Sequence, residues 1–212
     1  MKVTKYAHAC LVLELDGQKL VIDPGGYTPH FGNVHNVVGI VVTHIHADHF
    51  DPAHIARILA DNPDVHVWTT AEVAQQLGNP PVTIVQGGAD AQAGPFAMRF
   101  FGDEHASIHD RFPQWQNVGV LVNDALYYPG DSFTVPAGES VQALALPVSA
   151  PWLKIGEAID FVEAVHPAQC FPTHNALLSD IGQASVDDWM QPVCEKAGIR
   201  YQLLQPGQSI VL

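Results

Sequence analysis

The stretch Val38-Gly39-Ile40-Val41-Val42-Thr43-His44-Ile45-His46-Ala47-Asp48-His49-Phe50-Asp51-Pro52 decides how this chain is read. Its first five residues are a continuous apolar run, the pattern of a buried strand. Asp51 and Pro52 are an N-cap residue and a first-turn proline, so a helix is expected to start there. Three imidazoles and one carboxylate therefore sit on the loop that leaves a core strand. Imidazole nitrogen and carboxylate oxygen are donors that suit zinc, manganese or iron. In α/β folds such strand-end loops are where sites are built.

One loop cannot supply all the donors a metal site needs, and three later positions repeat its arrangement. His105 follows the apolar run Met98–Phe101, with His109 four residues further on. Either can ligate. His105 is preferred because it lies nearer the strand end, which leaves His109 to orient a ligand or touch substrate. Asp131 follows Leu126-Tyr127-Tyr128 through the turn Pro129-Gly130, and its two oxygens can bridge two cations. His174 follows Cys170-Phe171-Pro172-Thr173. The seven donors divide naturally into two sets and a bridge: His44, His46 and His105; Asp48, His49 and His174; and Asp131 between them.

Bulk composition narrows the function classes. With 47% hydrophobic and 15% charged residues, the 212-residue chain is globular and long enough for one domain with a sizeable core. Residues 1–212 are expected to form that single domain. The formal net charge is −13. The nine basic residues, Lys2, Lys5, Lys19, Arg57, Arg99, Arg111, Lys154, Lys196 and Arg200, form no stripe, which argues against a nucleic-acid partner. Bound divalent cations would offset part of the negative charge. Three sparse cysteines, Cys10, Cys170 and Cys194, point to a reducing compartment. With no signal peptide and no long apolar span, a cytoplasmic chain without a membrane partner is expected. A homo-oligomer stays open.

The patterning predicts strands over 3–6, 10–15, 19–22, 38–42, 65–68, 82–85, 96–101, 118–122, 126–128, 144–146, 169–171, 201–204 and 209–212. Helices are predicted over 53–60, 71–77, 155–165 and 186–194. Asp16-Gly17 and Asn123-Asp124 read as hairpin turns. The resulting class is α/β, two sheets packed together with helices outside.

At the level of motif, the chain resembles the metallo-β-lactamase fold superfamily. His44, His46, Asp48 and His49 fill its His-x-His-x-Asp-His pattern. His105, Asp131 and His174 fill its later His, Asp and His. Ile22-Asp23-Pro24-Gly25 matches the segment that precedes the metal loop, and the likeness covers nearly the whole chain. Within the superfamily it most resembles compact metal-dependent hydrolases related to L-ascorbate-6-phosphate lactonase. That finer likeness rests on Tyr6-Ala7-His8-Ala9-Cys10, Glu104-His105-Ala106-Ser107-Ile108-His109 and Asn117-Val118-Gly119. The resemblance implies an αββα sandwich with its site along one edge of the sheets. Many relatives carry an acidic residue after the last histidine; this chain has Asn175 there, a candidate to support the site or touch substrate.

Two divalent ions per chain, zinc first with manganese or iron also suited, would lower the pKa of a bound water and provide hydroxide near neutral pH. The expected function is hydrolysis of a small ester, lactone or related substrate. Asp48 and Asp131 are the candidate catalytic carboxylates, with Asp48 or a bound water protonating the leaving group. His8 either orients the site or is a core histidine bonded to backbone. Phe112, Pro113, Trp115, Asn117 and Trp152 are candidates for lining the mouth, and Arg111 for an anionic contact. His30, His35, His54, His66 and His166 carry no pattern. The competing readings are a phosphodiesterase of the same fold acting on a small phosphodiester, a diiron redox protein, and a non-catalytic metal-binding protein. The redox class usually has Glu where His46 stands, which argues against it.

Overall fold

The computed structural model describes every residue except His30 and Asn79, so the unpatterned His30 lies outside the described residues. The first half of the chain contains β1 (Lys2–Lys5), β2 (Leu11–Leu15), β3 (Gln18–Ile22), β4 (Val37–Val42), α1 (Pro52–Asp61), β5 (His66–Thr69), α2 (Ala71–Ala74) and β6 (Val82–Ile84). The second half contains β7 (Asp90–Ala93), β8 (Phe96–Phe101), β9 (Gly119–Val122), β10 (Leu126–Tyr128), β11 (Ala143–Pro147), α3 (Ile155–Val165), β12 (Gln169–Thr173), α4 (Asp180–Lys196), β13 (Arg200–Tyr201) and β14 (Ser209–Val211). They form two seven-stranded sheets, ordered β14-β1-β2-β3-β4-β5-β6 and β13-β12-β11-β10-β9-β8-β7.

Period-two patterning builds the sandwich, because alternate side chains of a strand point to opposite faces. Leu11, Leu13, Leu20, Ile22 and Val41 face inward against Phe96, Met98, Phe100, Val120, Val122 and Phe171 of the other sheet. Their neighbours Val12, Val21, Ile40 and Val42 face outward and are covered by Ile55 and Ile58 of α1. On the far side, Leu144, Leu146 and Cys170 are covered by Phe161 and Val162 of α3 and Met190 and Cys194 of α4. This is the expected αββα layering. Among the described residues no helix is long and apolar enough to cross a membrane.

Local chemistry sets the element ends. Asp51 caps α1, its carboxylate accepting from Ala53 N–H at 2.8 Å, and Pro52 occupies the first turn. The two-residue hairpin turns at Asp16-Gly17 and Asn123-Asp124 all take positive φ, as a type I′ turn requires. The elements depart from expectation in places; the strand expected over 201–204, for one, covers Arg200–Tyr201. α4 begins at Asp180 rather than Val186, because the Ser179 hydroxyl accepts from Gly182 N–H and starts the helix earlier. α2 stops at Ala74 instead of reaching Leu77. β7, with the sequence DAQA, has no strand-forming pattern and exists through its pairing with β8 at the sheet edge.

Topology gathers the four donor loops at one rim. β4 lies parallel to β3 and β5, and β10, β11 and β12 are mutually parallel. β8 and β10 are each antiparallel to β9, so they too run the same way. The loops after β8, β10 and β12 therefore leave the second sheet at the same end, opposite the loop after β4.

The first of those loops is held from behind by Gly25. A Cβ on Gly25 would sit 1.8 Å from the carbonyl oxygen of Asp48. Gly25→Ala is therefore expected to displace the Asp48-His49 segment and cost about 1–3 kcal/mol in urea unfolding. Gly156→Ala in α3, where a Cβ meets nothing within 4 Å, is the control and should be neutral or stabilising by up to about 1 kcal/mol.

Candidate metal centre

Thr43 ends the buried strand, and its N–H and hydroxyl both donate to Asp23, at 2.8 and 2.7 Å. That anchor sets the direction of the following loop. His44 and His49 are buried, while His46 and Asp48 are half-buried at its open side. His105, Asp131 and His174 arrive from the second sheet, all buried. Three non-glycine residues here, His8, Asp23 and His174, hold left-handed backbone with φ of 60°, 46° and 58°. Such backbone strain often gathers at functional sites.

The seven donors converge. One group of possible ligands is His44, His46, His105 and Asp131, and a second is His8, Asp48, His49 and His174, with donor atoms within 4.8 Å of one another in each. Asp131 stands between them. Its Oδ2 is 3.4 Å from His105 Nε2 and 3.1 Å from His174 Nε2, and its Oδ1 is 3.1 Å from His49 Nε2. The close pairs at His49, His105 and His174 lie outside hydrogen-bonding geometry, and five buried atoms are left without a hydrogen-bond partner. They are His44 Nε2, His49 Nε2, His105 Nε2, His174 Nε2 and Asp131 Oδ1. Only Gln18 Oε1 and Thr70 Oγ1 share that condition among the described residues. Buried polar atoms are rarely left unsatisfied. Ligands about 2.1 Å from a tetrahedral ion lie about 3.4 Å apart, which matches these separations. The residues present fit divalent cations.

The opposite ring nitrogens fix which atom faces inward. Nδ1 of His49 lies 2.6 Å from Asp23 Oδ2, Nδ1 of His105 lies 2.6 Å from the Ala106 carbonyl, and Nδ1 of His174 lies 2.5 Å from the Ser149 carbonyl. These oxygens can only accept. In each neutral ring the proton is therefore on Nδ1 and the lone pair is on Nε2, aimed at the centre.

The supporting residues were only partly expected. Asp23, fully buried, also accepts from Tyr128 OH at 2.9 Å. In the sequence, the signal for Asp23 is its place directly after a strand and before Pro24, within the segment Ile22-Asp23-Pro24-Gly25. Asn117 does not line a mouth. It is fully buried, donating to the Pro129 carbonyl and accepting from Asp131 N–H at 2.9 Å each. A Cβ on Gly130 would lie 2.3 Å from Asn117 Oδ1, so the turn that delivers Asp131 needs glycine. Trp152 is likewise buried, and its Nε1–H donates to Asp131 Oδ2 at 2.9 Å. His109 stands apart from both groups, exposed beside Phe112, with Nδ1 accepting from Arg111 N–H. The Asn175 side chain makes its hydrogen bonds away from the seven ligand candidates. It accepts from Lys5 Nζ at 3.2 Å and donates to Gln183 Oε1 at 2.6 Å. Trp115 packs edge-on against His46, ring centroids 4.6 Å apart, at the open side.

Charge in the metal-free site is balanced by protons. Burial lowers the pKa of His44 well below the usual imidazole range, reinforced by His49. Burial also opposes charge on His49 and His174, but facing carboxylates outweigh it. Asp131 and Asp23 raise His49 well above its ordinary value, and Asp131 and Asp48 raise His174 from 6.5 to about 9. The same pairing works in reverse on Asp48: burial resists its charge, yet His174 and His8 hold it well below the carboxylate range. Without metal, Asp48 is thus held ionised.

A raised imidazole pKa contributes stability that is complete below the unfolded value and is lost as pH rises through the folded one. Chelator-treated protein is therefore expected to lose thermal stability as pH rises from the ordinary value near 6.5 through about 9. Zinc-loaded protein should be flatter over that range, and zinc uptake near pH 7 should release protons, read by calorimetry in buffers of different ionisation enthalpy. Equal pH profiles with and without zinc would contradict this account.

Residues 2–174 match the family model described as Beta-lactamase superfamily domain. Protein Rv0786c of Mycobacterium tuberculosis is 36% identical over 184 residues, covering 84% of this chain and 86% of that protein. Among solved structures, one from Parabacteroides distasonis named as a metal-dependent hydrolase matches with a TM-score of 0.76 at 19% identity, over 95% of this chain and 91% of that one. Igni18, a metallo hydrolase of Ignicoccus hospitalis, matches with a TM-score of 0.75 at 18% identity, over 99% and 97%. At those identities the structural likeness is one of fold. The chain belongs to the beta-lactamase superfamily, and its paired sheets are the metallo-β-lactamase sandwich.

Proposed function

We propose that the chain is a dinuclear metallohydrolase acting on a small lactone or related carboxyl ester. The observation that carries this reading is the set of five buried donor atoms, aimed inward and lacking any hydrogen-bond partner. His44, His46 and His105 would hold one ion, Asp48, His49 and His174 the other, and Asp131 would reach both. Two such ions, zinc first, would supply Lewis acidity and an activated water near neutral pH.

The chain's own residues do the positioning. Asp23, Ala106 O and Ser149 O hold three imidazoles in one tautomer. Trp152 and Asn117 keep Asp131 between the two sets. Substrate would approach past the half-buried His46 and Asp48, with Trp115 flanking that side. The names of the metal-dependent hydrolases that share the fold support hydrolysis. The net charge of −13 and the scattered basic residues support a small substrate over a polynucleotide. The buried free thiols Cys10, Cys170 and Cys194 support a reducing, cytoplasmic setting.

The test is elemental analysis of untagged protein purified without chelator, followed by a panel of lactones and esters. About two equivalents of one divalent metal are expected, with hydrolysis of at least one panel member. His46→Ala and Asp131→Ala should each lower kcat/KM by about 1,000-fold or more, with the circular dichroism spectrum unchanged. Full activity in either variant would refute the site assignment. One equivalent or none after metal is supplied would refute the dinuclear reading.

A further inference from the structure

His8 stands in the second group of possible ligands, yet its hydrogen bonds give it a different part. It sits at the β1–β2 turn, 1% exposed, in left-handed backbone. Its Nδ1 faces the N–H of Ala176 at 3.3 Å, and its Nε2 lies 3.0 Å from Asp48 Oδ2. A backbone N–H can only donate, so Nδ1 must present its lone pair and the ring proton is on Nε2. An Nε2 that carries a proton cannot ligate a cation. Were His8 a ligand, its proton would move to Nδ1 and point at the proton of Ala176. The tautomer is thus opposite to that of His49, His105 and His174, whose Nδ1 protons are taken by oxygens.

The contact with Asp48 is also singular. Among the described residues, His8 alone meets hydrogen-bond geometry at that carboxylate, while His174 Nε2 lies 3.1 Å from the same Oδ2 as a fellow ligand candidate. Asp48 sits on a loop, with its side chain 18% exposed. His8 is in turn tied to the loop after β12. Its carbonyl accepts from His174 N–H at 3.0 Å, and its ring lies over that of His174 with centroids 4.0 Å apart. One residue therefore connects Asp48 from the first sheet's donor loop with His174 from the second sheet's. Among the described residues, no hydrogen bond of His8 reaches His44, His46 or His105.

We infer that His8 is a positioning residue for the second metal set alone, an Nε2–H donor that holds Asp48 and His174 in register without ligating. The inference rests on the dinuclear reading proposed above. It implies that the two metals can be separated by mutation at His8.

The experiment is zinc titration of untagged, metal-free, full-length protein in competition with a chromophoric chelator. Wild type is compared with H8Q, whose amide N–H can reach Asp48, and H8F, which keeps a ring but cannot donate. Both variants bear the same left-handed backbone cost, so that term cancels between them. In H8F the first equivalent should bind as in wild type and the second about 10–100-fold more weakly. H8Q should restore the second equivalent to within a few-fold of wild type. Undiminished binding of the second equivalent in H8F would overturn the inference. So would equal loss in H8Q and H8F, which would mark the imidazole as a ligand or as packing only. Should H8F not fold, H8N replaces it: asparagine tolerates left-handed backbone, and its amide is too short to reach Asp48. A wild-type chain that takes up only one equivalent would instead refute the dinuclear reading, a result distinct from any His8 effect.

Discussion

The carboxylate of Asp23 is the constraint on which the site depends. It is fully buried and accepts from Thr43 N–H, Thr43 hydroxyl, His49 Nδ1–H and Tyr128 hydroxyl. Those donors come from the end of β4, the donor loop and β10 of the opposite sheet. A buried carboxylate costs several kcal/mol in desolvation unless such donors are present. The charge therefore demands that β3, β4, the loop and β10 take up one mutual arrangement. That arrangement is the one that aims His49 Nε2 inward and sets the start of the loop carrying His44 and His46. The backbone behind the loop is equally constrained, since Gly25 leaves no room for a side chain against Asp48.

The rim geometry follows from strand direction. Parallel pairing of β10, β11 and β12 and the two antiparallel steps through β9 send three donor loops off the same end of one sheet. The inward core of leucine, valine and phenylalanine side chains holds that sheet against the other, and the fourth loop meets them there. The site therefore inherits its rigidity from the sandwich, not from the loops. Local strain at His8, Asp23 and His174 is sustained by the hydrogen bonds around them.

The two donor sets differ in how they are supported. His44 and His105 are buried, with Thr43 Oγ1 beside Nδ1 of the former and the Ala106 carbonyl beside Nδ1 of the latter. The set containing Asp48 and His174 is bound together by His8 and carries the proton-borne positive charge that balances the carboxylates. If that set takes up an ion as proposed, metal and protons would compete for the same nitrogens there, which would couple uptake to pH through His49 and His174, with His44 kept neutral by burial.

Much of this was legible in the residues. The apolar runs before His44 and in β2 and β3, the alternation in β8 and the Asp51-Pro52 helix start mark the elements, because side-chain pattern and capping are local properties. The positions of His105, Asp131 and His174 after apolar strands were visible for the same reason, as was the layering of sheets between helices. What stayed hidden depends on distance in the chain. Asn117 and Trp152 read as mouth-lining residues, since nothing local says that their amide and indole meet Asp131. Asn175 read as a neighbour of the site, but its side chain turns to Lys5 and Gln183. Residue order determined which donors are available and that each emerges at a strand end. Only the tertiary structure decided which nitrogen of each imidazole faces inward, because a tautomer is set by the group across from it, and those groups come from elsewhere in the chain.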